Sequence, residues 1–77
     1  NPFNPSTTIR FDLPEEGFIT MSVYDITGKL VETLINKPME PGTHRIQWNP
    51  FNLSSGLYIV QLEAGEKTFN QKITFIK

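Results

Sequence analysis

The 77-residue chain contains no cysteine and a single histidine, His44. Without cysteine no disulfide can form, and one histidine without thiolates makes a structural zinc site improbable. A chain of this length forms one compact domain with a thin core. Its stability must therefore come from apolar packing and backbone hydrogen bonds, and we expect no cofactor.

The chain also lacks an excess of either charge, and it has no long apolar run. Seven Lys and Arg residues oppose eight Asp and Glu residues, and the longest run of like charge is Glu15-Glu16. This balance disfavours nucleic acid and anionic lipid as partners. The short apolar runs predict no direct membrane insertion. The chain begins at Asn1 without a charged and apolar leader, so we expect a single domain, 1–77, cut from a longer polypeptide.

The prevailing pattern is an alternation of apolar and polar residues, which is typical of half-buried strands. It places Ile9, Phe11 and Leu13 on one face of the first strand and Ile19, Met21 and Val23 on one face of the second. No window has a sustained helical period. The sequence thus predicts an all-β, immunoglobulin-like antiparallel β-sandwich of six to seven short strands.

Turn signals divide these strands. Pro14 to Gly17 separates the first two strands, and Asp25 to Lys29 predicts a hairpin turn with Gly28 at the left-handed position. We expect a strand from Leu30 to Ile35, an irregular connection from Asn36 to Gly42, and a strand from Thr43 to Trp48. A loop from Asn49 to Ser55 precedes two final strands, Gly56 to Ala64 and Lys67 to Ile76, joined by a Gly65-Glu66 turn.

Tyr58 lies two residues before Val60 at the start of a strand. This arrangement resembles the tyrosine corner of immunoglobulin-like sandwiches, in which the phenol hydroxyl bonds back to the backbone. We therefore expect Tyr58 to be buried with its hydroxyl satisfied. In this register Val60 and Leu62 also face the core, and Leu57 and Ile59 face outward, where they form a docking patch or are covered by the 49–55 loop.

Candidate catalytic or ligand-binding residues are few: His44, Asp12, Asp25, Ser54 and Ser55. No nucleophile elbow surrounds either serine, so we do not expect an enzyme. Asp25 has too few neighbouring oxygens for calcium and is better explained as a residue that bonds its own turn. Tyr24, Trp48, Phe51 and Phe18 could stack on sugars, although the parity of Trp48 with Ile46 predicts core packing.

The last residues form an apolar strand flanked by lysines, Lys72-Ile73-Thr74-Phe75-Ile76-Lys77. Ile73 and Phe75 share one face, and Thr74 and Ile76 share the other. Such a strand either closes the sandwich or serves as a handle that a partner recognises by strand addition or by capture of the carboxylate.

Several segments, taken in order, resemble the C-terminal sorting domain of the type IX secretion system. They are Asn1 to Ile9 with Leu13-Pro14, Val23 to Val31, Pro41 to His44 with Trp48, Ser55 to Tyr58, and Lys72 to Lys77. The resemblance implies an immunoglobulin-like domain that directs a cargo protein through the periplasm and an outer-membrane translocon to the cell surface or medium. The partners it implies are the translocon, shuttle proteins and a sortase-like cysteine peptidase that cleaves before Asn1.

By position, the resemblance assigns translocon recognition to a set of seven residues: Gly56, Tyr58, Lys72, Ile73, Phe75, Ile76 and Lys77.

Two alternatives stay open. One is a structural or adhesive surface module, including a glycan-binding one. The other is the immunoglobulin-like domain of flagellar hook-capping proteins, which shares the first motifs but usually continues after its tryptophan with an acidic, glycine-rich segment. Here Trp48 is followed by a second copy of the opening motif, Asn49-Pro50-Phe51-Asn52. We interpret the two copies as recurring turn chemistry rather than as a structural repeat.

Overall fold

The computed structural model describes residues 7–49 and 53–75. Within these ranges the chain forms six strands and no helix: β1 Thr7–Leu13, β2 Gly17–Asp25, β3 Leu30–Met39, β4 Gly42–Trp48, β5 Gly56–Ala64 and β6 Lys67–Phe75. No described segment is a helix long and apolar enough to cross a membrane. The all-β prediction is confirmed, and the strand count falls at the lower end of the expected range.

The strands form two antiparallel sheets. β1 pairs with β4 in a two-stranded sheet, and the other sheet has the order β3-β2-β5-β6. Residues from both sheets share one buried core, so the sheets pack face to face as in an immunoglobulin-like sandwich. The small sheet has half as many strands as the large one and cannot cover all of its inner face.

The core follows the predicted alternation. Ile19, Met21 and Val23 on β2 are almost completely buried, and Ile9 and Leu13 face them from β1. Phe11 is half-buried against the same cluster. Four further apolar side chains of the described residues are buried: Ile35, Trp48, Tyr58 and Val60. Inward parity along β1, β2, β4 and β5 was therefore predicted correctly.

Contacts of Trp48 locate the small sheet over the large one. Its indole Nε1 donates a hydrogen bond of 3.0 Å to the Glu32 carboxylate on β3, and its ring meets Tyr58 edge-on with centroids 5.7 Å apart. β1, on the other side of the small sheet, lines a groove with Leu62 of β5 and Phe69 of β6. β4 thus lies toward β3 and β1 toward β5, which leaves β6 beyond the small sheet.

The β2–β3 turn is built by Asp25, as predicted. One carboxylate oxygen, Oδ1, accepts hydrogen bonds from the Thr27 amide (2.9 Å), the Thr27 hydroxyl (2.6 Å) and the Lys29 amide (3.0 Å). Gly28 takes the left-handed conformation with φ 88°, which an L side chain would strain. Because these three bonds lie within its own turn, Asp25 has a structural role here.

The predicted irregular connection from Asn36 to Gly42 is wrong. β3 continues as a strand to Met39, and only Glu40 and Pro41 separate it from β4. In the described part of the chain β3 pairs with β2 only, and an edge strand is a position in a sheet where a proline such as Pro38 is tolerated. The fourth strand accordingly starts at Gly42, one residue earlier than expected.

The two copies of the Asn-Pro-Phe-Asn motif are described only in part. The first copy, 1–4, lies outside the described residues, and so do residues 50–52 of the second. Asn49 and residues 53–55 belong to no strand, which agrees with the predicted loop wherever it is described.

Candidate functional site

The β5–β6 hairpin brings the predicted recognition residues to one end of the large sheet. Gly56 pairs with Phe75, Tyr58 with Ile73, and Ile59 with Lys72. Their neighbours in the fold are therefore set by the hairpin register, which runs without a shift from the Gly65-Glu66 turn to Phe75. The side chain of Phe75 and the whole of Ile76 and Lys77 lie outside the described residues.

Tyr58 forms the predicted tyrosine corner. Its hydroxyl donates a hydrogen bond of 2.7 Å to the carbonyl oxygen of Ser54, four residues earlier, and its side chain is 7% exposed. Burial of the ring requires a partner for the hydroxyl, and the Ser54 carbonyl provides one. The bond ties the segment before β5 to the core.

Gly56 opens β5 with no crowding around it. A Cβ placed on Gly56 would meet no atom of the described residues within 4 Å, so close packing among them does not require glycine at this position. The backbone of Gly56 and of its partner Phe75 forms the last described rung of the hairpin.

Lys72 and Ile73 point to opposite faces of β6, as predicted. Lys72 is exposed on the outer face of the sheet, whereas Ile73 is half-buried and packs against the core. In the described part of the chain, β6 pairs with β5 only, so its other backbone edge is unpaired. Unpaired amide and carbonyl groups of an edge strand can accept an added strand from a partner.

An apolar patch lies on the outer face beside Lys72. The register aligns Leu30, Tyr24, Ile59 and Lys72 in one row across all four strands, and Leu57 lies in the next outward position on β5. Leu30 is 51% exposed and Leu57 39%, while Tyr24 and Ile59 are half-buried. We call Tyr24, Leu30, Leu57 and Ile59 the outer patch.

The outer patch was predicted only in part. The outward parity of Leu57 and Ile59 is confirmed. Tyr24 and Leu30 were not assigned to it from sequence, although the hairpin turn between them implied that they pair. A shallow hollow of about 430 Å³ lies between Tyr24, Ile59 and Lys72, so this apolar face is concave at that point.

His44 and the acidic residues around it have structural partners. The His44 ring stacks on Phe11 with centroids 5.3 Å apart, and its Nε2 lies 2.7 Å from the carbonyl oxygen of Glu40. Asp12 accepts a hydrogen bond of 2.7 Å from the Thr43 hydroxyl on the opposite face of the small sheet. A carboxylate on that face cannot orient the imidazole, so the described residues form no acid–histidine pair.

The ionisation of Asp25 is shifted by its turn. The Thr27 hydroxyl donates to its carboxylate, and the Lys29 amide adds a second hydrogen bond, so the pKa of Asp25 lies below its usual value of 3.8. The shift therefore reflects the turn described above. Asp25 also belongs to no group of three or more potential metal ligands among the described residues.

The fold and the surface define the protein as a small antiparallel β-sandwich domain. In its described part the large sheet ends at β6, and the outer face of that sheet presents the outer patch beside Lys72. Comparison with known families identifies it further. The secretion system C-terminal sorting domain family matches residues 1–77, the whole chain. The chain belongs to this family, the C-terminal sorting domain of the type IX secretion system.

Membership gives the domain its general function, a type IX sorting signal that marks a protein for export toward the outer membrane, the cell surface or the medium. No curated protein and no solved structure matches the chain. Neither the adhesive nor the hook-capping alternative gains support. Trp48, 1% exposed, has no face available for stacking on a sugar.

Proposed function

We propose that this domain is a non-catalytic sorting module at the C-terminus of a longer secreted protein, read by the type IX translocon and its shuttle proteins at the end of the sheet where β5 begins and β6 ends. The observation that supports this proposal is the register of the hairpin, which sets Lys72 beside Ile59 on the outer face while Tyr58 and Ile73 face the core. Recognition residues and packing residues thus alternate along the same two strands.

The residues have different parts in this proposal. Tyr58 and Ile73 act as positioning residues, because their packing and the bond from Tyr58 to Ser54 hold the two strands in place. Lys72 and the outer patch make the contact with the partner. Gly56 begins the contacting strand, and Phe75, Ile76 and Lys77 extend the contact on the basis of the family resemblance.

An apolar patch with Lys72 beside it suits a partner surface that is also mainly apolar. Leu30 and Leu57 are both more than a third exposed, and water released from such side chains on docking favours association. Lys72 adds orientation rather than much affinity, since an exposed ion pair contributes about 0–1 kcal/mol.

The route and the fate of the domain complete the proposal. The cargo passes through the periplasm, the folded domain is read at the translocon, and a sortase-like cysteine peptidase cleaves before Asn1. The domain requires no cofactor, does not insert directly into the membrane and binds no nucleic acid. Its near-neutral charge balance agrees with the last point.

Export of a reporter fused in front of this domain tests the recognition site in a host with the type IX machinery. We expect charge reversal at Lys72 and Lys77 (K72E with K77E) to abolish export, and K72E alone to reduce it. Lys67→Glu is the matched control, because it makes the same charge change at an exposed position at the other end of β6. Each variant is first shown by circular dichroism to fold as the parent does.

Normal secretion of the double variant would refute recognition at this end of β6. A loss of export that is equal for K67E and K72E would also refute it, because the effect would then follow charge and not position. Cleavage is tested separately by a C-terminal peptide map of the exported cargo. A mature protein that still carries residues of this domain would exclude removal of the domain.

A further inference from the structure

The sandwich is open along one side, between the free edge of β1 and the inner face of β6. In the described part of the chain β1 pairs with β4 only, so its other edge is unpaired. A groove of about 410 Å³ lies beside this edge, between Arg10 and Phe11 of β1 and Phe69 and Gln71 of β6. Its floor includes Val60 and Leu62 of β5.

The inner face of β6 is uncovered beneath this groove. Phe69 pairs with Leu62 and Gln71 pairs with Val60, so both side chains face the side on which the small sheet lies. Nevertheless Phe69 is 54% exposed and Gln71 is exposed. The edge of the small sheet therefore ends before β6, and β6 extends past it.

The space above β6 fits one further strand. Neighbouring strands in a sheet are about 4.8 Å apart, and packed sheets are about 10 Å apart. A strand added to β1 would take the next position in the small sheet and lie over β6. A second globular copy has less access, because the projecting β6 obstructs the approach of another domain to the β1 edge.

One end of the groove is acidic. At the end where β1 turns into β2, the opening of about 480 Å³ is lined by four carboxylates and one ammonium group: Asp12, Glu15, Glu16, Glu66 and Lys67. Glu15, Glu16 and Glu66 are all exposed. An occupant with a cationic residue at this end would be attracted, and one with an acidic residue repelled.

We propose that this groove binds an extended peptide segment of another protein, which adds to β1 as a strand, places alternate apolar side chains over Phe69 and Leu62, and has a lysine or arginine at the Glu15-Glu16 end. The backbone edge of β1 provides the hydrogen bonds, and the apolar floor of the groove favours peptides in which every second side chain is apolar. This site goes beyond the proposed sorting function and does not depend on Lys72.

A synthetic peptide tests the proposal directly. The probe is an acetylated and amidated peptide of one lysine followed by three threonine–valine pairs, titrated into the full 77-residue domain. We expect saturable shifts of the backbone amide resonances of 8–12 and 69–71, with slower hydrogen exchange along β1. The same peptide with alternate amides N-methylated should not bind, because it cannot complete the ladder.

Two variants of the domain give the test its specificity. Phe69→Thr should weaken binding roughly four- to tenfold, since about half of a phenylalanine surface remains available for burial by the peptide. Leu30→Thr, at a similarly exposed position of the outer patch, should bind as the parent does. Glu15→Lys with Glu16→Lys should weaken binding of the lysine peptide and remove most of its salt dependence.

Three results would overturn the proposal. The first is equal binding of the N-methylated peptide, which would exclude strand addition. The second is binding that appears only after residues 1–6 are deleted, which would assign the groove to the chain's own N-terminal segment. The third is a concentration-dependent dimer whose formation Phe69→Thr abolishes, which would assign it to a second copy. None of these readouts involves export, so they are independent of the sorting proposal.

Discussion

Substitution of Tyr58 by phenylalanine tests whether the tyrosine corner stabilises the start of β5. The change removes one hydroxyl and keeps the buried ring, so the 2.7 Å bond from this hydroxyl to the Ser54 carbonyl is lost. A typical intramolecular hydrogen bond contributes about 0.5–1.5 kcal/mol to stability. The Ser54 residue is exposed and its carbonyl can be solvated, which places the expected loss near about 1 kcal/mol.

Urea unfolding followed by circular dichroism measures this loss. For a domain of this length, about 1 kcal/mol lowers the melting temperature by roughly 4–8 °C. The urea midpoint should fall with no change in slope, because the surface exposed on unfolding is unaffected. Tyr24→Phe is the matched control: Tyr24 is half-buried and its hydroxyl makes no hydrogen bond within the described residues, so we expect a change below about 0.5 kcal/mol. Equal losses for the two variants would refute the role of the corner.

Further predictions concern the turn and the core. Asp25→Ala should destabilise the domain at about pH 6, and because the folded-state pKa of Asp25 is lowered, its contribution should disappear as pH falls below about 3.8. Urea titrations of the parent and of Asp25→Ala at about pH 6 and pH 2.5 give the difference in unfolding free energy between the two proteins at each pH. A difference that is the same at both pH values would contradict the prediction. Gly28→Ala should lower stability by about 1 kcal/mol through its positive φ, whereas Gly17→Ala should not. Glu32→Ala leaves the Trp48 indole without its carboxylate acceptor and should lower the thermal midpoint by more than an exposed surface change does.

Strand alternation predicted the core where strands pair regularly. Ile19, Met21 and Val23 lie on β2, which is flanked by β3 and β5, so one face is buried along the whole strand. Under that condition a period of two determines which side chains are inside. The position of Tyr58 was predictable for a related reason, since its corner depends on a local bond over four residues.

β3 departs from this simple rule because it bulges twice. Register shifts opposite the Met21/Ser22 and Val23/Tyr24 steps leave Leu34 and Val31 as extra residues, and both pack against the core. A bulge places two residues opposite one and interrupts alternation. No residue type in Leu30–Met39 indicates a bulge. Pro38 suggests the end of a strand, but an edge strand can continue through a proline.

The open side of the sandwich also could not be predicted from the sequence. Phe69 alternates correctly with Ile73 and reads as a core residue, and its exposure follows only from the size of the small sheet. The length of a strand can be estimated from local residues, but its partner is decided by long-range pairing. Surface exposure of an inward-facing side chain therefore needs the topology.

Because Lys72 and Ile73 are neighbours with different roles, removing the end of β6 cannot by itself identify a recognition signal. Truncation from Lys72 deletes an exposed cation and also a side chain that packs on the core. A small domain has a total stability of about 5–15 kcal/mol at most, and loss of a half-buried isoleucine together with its hairpin rungs takes a large part of it. An unfolded signal and an unread signal would then look alike in an export assay. Only a substitution on the outer face, such as Lys72→Glu, changes the contact surface and leaves the packed face intact.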